Sequence, residues 1–308
     1  MKRLLRNLRR AALLRAVTWL SPRRRRLLAW HALTASGAST VGFSRYGFSW
    51  TVPVGDPHIG FGLFVDDGFQ QPQLRALMAW LKAHGRGVNS GSVFVDVGAN
   101  IGTTSIPVAR EYGCRVLAIE PVQTTFELLR QNVSANGLVD DIILVNAAVF
   151  ERPEMVRMAL SYDSGAAFVA RQGTPSEIHA ASRACIDCQG MPLGALLATK
   201  GIVPADVSLV WADVQGCEVD VIDTGVEIWA AGAPLWAEFE TPMLALQGAL
   251  DGFFVAAERN FDRFIDARDL LREGVECQPQ PIAKLSQVLA RNPDRLFSTD
   301  VLLLPPGF

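Results

Sequence analysis

No acidic residue precedes Asp56 in this chain, although eleven lysines and arginines do. The remainder carries eighteen basic and thirty-one acidic side chains, so the net charge of −2 conceals a basic head on an acidic body. An acidic body without interleaved aromatic and basic residues disfavours a nucleic-acid partner. No run of about 18 apolar residues occurs, which argues against a membrane-spanning helix. The N-terminus lacks the unbroken apolar stretch and small-residue cleavage site of a secretory signal. A cytoplasmic location is therefore expected, with peripheral attachment to the inner face of the membrane as the variant the basic head allows. The five cysteines, at 114, 185, 188, 217 and 277, are scattered and odd in number. A chain of this size needs no covalent staples, so a reducing compartment is the simpler reading. Cys185 and Cys188 form one CxxC with neither a second pair nor an HxxxH nearby. No zinc site is expected there, and both read as small core residues.

What is present is a hydrophobic content of 49% with modest aromatic content, which suits an α/β protein whose parallel strands are covered on both faces. Three segments are read: a basic helical head over 1–35, a β-hairpin and helix lead-in over 36–88, and a Rossmann-like domain over 89–308. Met1, Leu4, Leu5, Leu8 and Ala12 recur at helical spacing opposite Lys2, Arg3, Arg6, Arg9 and Arg10. Ser21-Pro22 is expected to break that helix before the cationic run Arg23 to Arg26. Such a head packs on its own domain, lies on an anionic membrane through residues 1–30, or touches nucleic acid, the last disfavoured by the acidic body. From Thr40 to Phe64, apolar and polar residues alternate between Gly and Pro punctuation, predicting two or three strands in hairpins. Leu74, Leu77, Met78, Trp80 and Leu81 predict a helix over 70–84. The order then becomes strand, turn, helix, repeated, with strands at 93–97, 116–119, 142–145, 207–212, 234–239 and 301–304. Parallel βαβ units follow from that order, with extra strands expected in the less regular stretch 151–190.

The first strand runs into Asp96-Val97-Gly98-Ala99-Asn100-Ile101-Gly102, with a helix opening near Thr103. Gly98 and Gly102 permit a sharp turn and close backbone approach, and the helix N-terminus offers free N–H groups. The sequence lacks the GxGxxG that seats a pyrophosphate, and the Asp96 carboxylate would repel one. A cofactor bearing an ammonium and a sulfonium suits that carboxylate better. Glu120, at the tip of the second strand, is placed to bind ribose hydroxyls. Asn146 and Ala147, at the tip of the third, leave room for a flat adenine, with Asn146 reading its edge. Asp213 ends the fourth strand, where open α/β sheets bind ligands, and so is expected to face the transferred group and the acceptor. Glu218 on the following helix either faces the acceptor or serves the helix dipole. Glu238 and Glu240 share one face of the fifth strand. Asp213 with Glu240 would suffice for a divalent cation, but nothing in the sequence demands one and no metal is predicted. His58, His84 and His179 are isolated and read as surface or turn residues.

At these residues the chain resembles the FkbM family of S-adenosylmethionine-dependent methyltransferases, in FVDVGANIG, AIEPVQTTFELLRQNVSANGL, VNAAV, ADVQGCEVDVI and LWAEFE, across roughly 58–304. The resemblance implies a seven-stranded, mostly parallel sheet with a reversed last strand, and O-methylation of sugars or natural products. It places Asp96, Gly98, Asn100 and Gly102 at the methionyl part of the cofactor, Glu120 at the ribose, and Asp213 and Glu218 in a DxEGxE-like segment. Trp211 stands near a usual Lys, Gln215 replaces an acid, GFQQ at 68–71 replaces a Tyr-Glu type motif, and CQGMPLGALL lacks a common Leu-Asp pair. These departures lie on the acceptor side. The reading is therefore S-adenosyl-L-methionine-dependent methyl transfer to a hydroxyl of a sugar, glycolipid or natural product, with Asp213, Glu218 and Glu240 as candidate catalytic residues. The competing readings are an NAD-type oxidoreductase and a non-catalytic module that keeps the cofactor pocket. The identity of the small-molecule or glycan acceptor and the oligomeric state are not legible.

Overall fold

The computed structural model describes residues 19–66, 68–161, 165–290 and 298–308. The amphipathic turns expected from Met1 to Ala12 lie outside the described residues. The chain divides between Phe69 and Gln70 into two compact units. The helix read at 70–84 therefore belongs with the second unit, whereas the sequence reading grouped it with the hairpins of the lead-in.

In the first unit, Ser21-Pro22 starts a helix. Ser21 caps Pro22–Ser36, its side chain accepting from the N–H of Arg24, and Pro22 occupies the first turn, where its missing N–H costs nothing. Strands β1 (Thr40–Arg45) and β2 (Phe48–Pro53) form a single hairpin. The expected third strand is a short helix, Ile59–Phe64. Asp56 explains the difference: its buried carboxylate accepts from the N–H groups of His58 (2.9 Å) and Ile59 (3.0 Å), which turns the chain into a helix. Trp30 packs against Phe61 and Phe64 to make this unit's small core.

The second unit is built on β3 (Val93–Val97), β4 (Arg115–Ile119), β5 (Ile142–Val145), the short β6 (Ala148–Val149), β7 (Glu154–Ala159), β8 (Phe168–Val169), β9 (Cys185–Met191), β10 (Val207–Ala212), β11 (Leu235–Glu240), β12 (Arg263–Asp266), β13 (Gln280–Pro281) and β14 (Ser298–Leu304). The main sheet has the order β13-β12-β14-β11-β10-β3-β4-β5. Strands β3, β4, β5, β10 and β11 are parallel, and β14 runs antiparallel to both of its neighbours. This is the Rossmann-like α/β arrangement with a reversed last strand. The seven strands expected become eight because a two-residue strand, β13, pairs at the edge beyond β12. Every residue of β3 is buried, as a strand covered by helices on both faces requires. The irregular stretch 151–190 supplies β7, β8 and nearly all of β9, which with β6 make a separate sheet of order β6-β9-β7-β8. Cys185 and Cys188 both lie on β9, where an i, i+3 pair points to opposite faces. Cys188 joins the core with Val156 and Met158 instead of converging on its partner. No helix among the described residues is long and apolar enough to cross a membrane.

Candidate active site

The parallel strands β3, β10 and β11 end side by side, and their register decides what meets there. Ala212 pairs with Val97 on one side and Ala237 on the other, while Glu238 pairs with Asp300 of β14. One residue further along, Gly98, Asp213, Glu238 and Asp300 form a row across four strands. Glu238 and Asp300 are the members that the sequence reading did not select.

Gly98 lies at φ 84°, and a Cβ there would sit 2.0 Å from the carbonyl oxygen of Asp213. Its N–H donates to Ile119 O at 3.0 Å, while the Asp213 N–H donates to Val97 O at 3.0 Å. Glycine is thus required because two strand ends cross in contact. At Gly102 (φ 96°) the neighbours are Ile106 Cδ1 at 2.8 Å and Leu129 Cδ1 at 3.0 Å, a helix-packing contact. The protein's own packing already requires glycine at both positions. Asn100 takes φ 48°, a conformation asparagine tolerates, and its side-chain Oδ1 accepts from the Ile101 N–H at 2.8 Å.

Asp96 is 1% exposed and accepts from the Ser105 hydroxyl, on the helix Ser105–Tyr112 that follows the turn. Trp211 is its direct cross-strand partner on β10 and stacks on Trp236 at 5.2 Å. Where the resembled family places a Lys nearby, this chain has an indole. Burial pushes the Asp96 carboxyl up to about 7, against the lowering effect of Ser105 and with a further push from the Asp213 charge. Glu120 spans the turn: Oε2 accepts from the Asn100 N–H (3.0 Å) and Oε1 from the Val122 N–H (2.9 Å). Burial raises it to about 7 despite those two bonds. Asn146 donates to the carbonyls of Glu120 (2.8 Å) and Pro121 (3.0 Å), so its amide nitrogen fixes the end of β4. The buried Ala147 follows it. Asn132, fully buried on the helix Gln123–Ala135, donates to Ile101 O at 3.0 Å and holds the turn from behind.

Asp213 is the hub. Its charge contributes to raising Asp96, Glu120, Glu218, Glu238, Glu240 and Asp300. Gln70 Nε2 donates to Asp213 Oδ2 at 3.1 Å, and Gln215 Nε2 donates to Asp213 Oδ1 at 3.2 Å and to Glu238 Oε2 at 2.9 Å. Two of the segments where the chain departs from the resembled family, at 68–71 and 215, therefore end on one carboxylate. Glu238 is raised well above the carboxylate range by burial and, next, by the Asp213 charge. Glu240, half-buried, is raised by burial and by the Asp213 charge, with no direct bond to Asp213 among those resolved. Glu218 closes the turn before its helix, Oε1 accepting from Val214 N–H (3.2 Å) and Gly216 N–H (3.4 Å), while the buried Oε2 meets no partner. Burial raises Glu218 to about 8 and Asp300 to about 7. Among the described residues no group of three or more His, Cys, Asp or Glu is arranged to hold a metal ion.

Comparisons with known proteins were made against this geometry. Among solved structures, TYW2 of P. horikoshii in complex with MeSAdo aligns at 13% identity over 86% of this chain and 70% of that one, with a TM-score of 0.43. An O-methyltransferase from Bacillus cereus in complex with SAH aligns at 11% identity over 78% of this chain and 82% of that one, with a TM-score of 0.38. An uncharacterized protein of Haemophilus influenzae is 30% identical over 74 residues, 24% of this chain and 29% of its own length, so the match spans under a third of that relative. The family model described as the methyltransferase FkbM domain matches residues 96–273, more than half of the chain, including the carboxyl ends of β3, β4, β5, β10 and β11. That match sets aside the oxidoreductase alternative: the chain belongs to the FkbM family of S-adenosylmethionine-dependent methyltransferases.

Proposed function

We propose that the protein transfers the methyl group of S-adenosylmethionine to a hydroxyl of a neutral acceptor such as a sugar, a glycolipid head or a natural product, with Asp213 as the base that receives the hydroxyl proton. The observation that carries the reading is the position of Asp213: it ends a central parallel strand, where such sheets bind ligands, and its charge reaches every other acid of the site. The donor set suits the cofactor. Among the described residues no Lys or Arg figures among the groups acting on Asp96, Glu120, Glu218, Glu238 or Glu240, so these carboxyls have no basic partner there. A ligand carrying an ammonium and a sulfonium supplies positive charge.

When bound, the cofactor supplies an electrophilic methyl group. Asp96 and Asn100 border its methionyl part, between the turn and the helix Ser105–Tyr112. Glu120 still has carboxylate lone pairs beyond the two backbone N–H bonds it accepts, and these meet ribose hydroxyls. Asn146 and Ala147 border the adenine, and the Asn146 amide nitrogen holds the end of β4 beside β5. On the acceptor side, Asp213 orients the hydroxyl and takes its proton, and Glu240 is a second acceptor of hydroxyl hydrogen bonds. Glu218 shapes the Asp213 loop from within. Holding the hydroxyl in line and away from water supplies most of the rate. The test is incubation with methyl-labelled S-adenosylmethionine and fractionated lysate, comparing the wild type with Asp213→Asn. Label entering a glycan, lipid or small-molecule pool with the wild type only is the expected result, whereas equal transfer by the variant refutes the role of Asp213.

A further inference from the structure

Gln70 and Gln215 share an unusual backbone state. Both lie in the left-handed region, at φ 55° and 54°, where residues other than Gly, Asn and Asp are uncommon and strained. They come from distant segments, Gln70 lying 143 residues before Asp213 and Gln215 two after it, and their amide nitrogens end on the two different oxygens of Asp213. Gln215 spends a second N–H on Glu238 Oε2. An amide nitrogen only donates, and an ionised carboxylate only accepts. Were the proton of the Asp213–Glu238 pair on Asp213, that O–H would compete with an amide N–H for its own oxygen. The donor pattern thus fits one arrangement: Asp213 as acceptor of all its bonds, Glu238 as the protonated partner.

We propose that Gln70 and Gln215 are positioning residues that hold the Asp213 carboxylate by both oxygens and keep the single proton of the Asp213–Glu238 pair on Glu238. The inference deepens the reading of Asp213 as the base and rests on it for its catalytic meaning. Several acids surround Asp213. Asp96 faces it from β3, Glu218 from the helix Glu218–Thr224, Glu238 and Glu240 from β11 and Asp300 from β14, and each feels its charge. Burial already favours the neutral form at Glu238, and the two amides add to that preference by meeting both oxygens of Asp213. The acids that other sequences of this family are expected to carry at these two segments could not donate in the same way while ionised.

The experiment is carboxyl-carbon NMR on the full chain labelled at Asp and Glu, with the two signals assigned by their loss in Asp213→Asn and Glu238→Gln. Gln70→Gly and Gln215→Gly remove each amide while relieving the left-handed backbone, so the fold is not penalised. In the wild type at neutral pH the Glu238 carbon reports the protonated form. In each glycine variant the proton distribution should move toward Asp213 by about tenfold or more, the equivalent of losing one charge-assisted hydrogen bond. Gln215→Glu, isosteric and unable to donate when ionised, should move it in the same direction. An unchanged distribution in both glycine variants overturns the proposal and leaves the base role of Asp213 standing. Full methyl transfer by Asp213→Asn overturns the base role and leaves the NMR result to stand alone.

Discussion

Replacing Gly98 with alanine separates two explanations for a glycine at the head of this site. If the glycine exists to admit a ligand, the variant folds normally and binds cofactor poorly. If it exists because strand ends cross, the variant loses stability first. The structure favours the second, since the added Cβ would lie 2.0 Å from Asp213 O and 3.0 Å from its carbonyl carbon. Carbon and oxygen settle at about 3.3 Å, so β3 and β10 must part by more than about 1 Å at their tips. A φ of 84° adds about 1–2 kcal/mol for an L-residue. Parting the tips weakens the bonds Gly98 N–H to Ile119 O and Asp213 N–H to Val97 O, at about 1 kcal/mol each. The total, about 3–5 kcal/mol, is a large share of a typical domain's stability. Gly102→Ala is the control: its φ is equally positive, but the atoms met are the ends of the Ile106 and Leu129 side chains, which can rotate away. Urea unfolding should place Gly98→Ala about 2 kcal/mol below Gly102→Ala. A Gly98→Ala protein as stable as the control, with weakened binding of S-adenosylhomocysteine, would refute the crossing argument.

Asp213→Asn should lower methyl transfer by about 10²- to 10⁴-fold with S-adenosylhomocysteine affinity changed less than about threefold by calorimetry. Asn132→Leu should cost about 1–3 kcal/mol in chemical denaturation, because it orphans the buried Ile101 carbonyl; a loss under 0.5 kcal/mol would count against that role. The carboxyls of Asp96, Glu120, Glu218 and Asp300 are raised above their ordinary values to about 7, 7, 8 and 7. Between the ordinary range and those values the folded chain binds more protons than the unfolded one, so ligand-free stability falls as pH rises from about 5 to 8. Melting temperatures that stay flat or climb over that range would contradict it. Asp96 must ionise to meet the cationic methionyl part, so S-adenosylmethionine affinity should strengthen from pH 6 to 7.5 with proton release, measured by calorimetry in buffers of different ionisation enthalpy.

The central sheet was legible because its strands are buried on both faces and read as short apolar runs. Val93–Val97, Ile142–Val145 and Val207–Ala212 fall where the pattern put them. Ile59–Phe64 was misread because its alternation of glycine and apolar residues imitates a strand, while the deciding signal was the side chain of Asp56, two residues before His58. The strand β12 had no reading at all. Four residues, RFID, are too few to show a period, and the strand exists because β14 offers it an edge. Strand β13 is shorter still.

The site was legible one strand at a time, and what escaped is what depends on register. Asp96, Glu120 and Asp213 each follow an apolar run and precede a turn, so position alone exposed them. Choosing between Glu238 and Glu240 required knowing which of them lies level with Asp213. The β10–β11 register answers Glu238, since Ala212 pairs with Ala237. Asp300 joins the row only because β14 runs antiparallel with Glu238 opposite it; an acid preceding VLLL in the last strand was the one sequence signal available. Gln70 was farther still from reach. A glutamine in a GFQQ turn announces nothing until a left-handed backbone, 143 residues from its partner, aims its amide at Asp213. The departures from the family pattern at 68–71 and 215 are thus coupled: each places a donating amide on the same carboxylate. Restoring an acid at one of them alone should be worse than at neither, and restoring both should not recover the wild-type proton distribution, because the Asp213 oxygens would still lack donors.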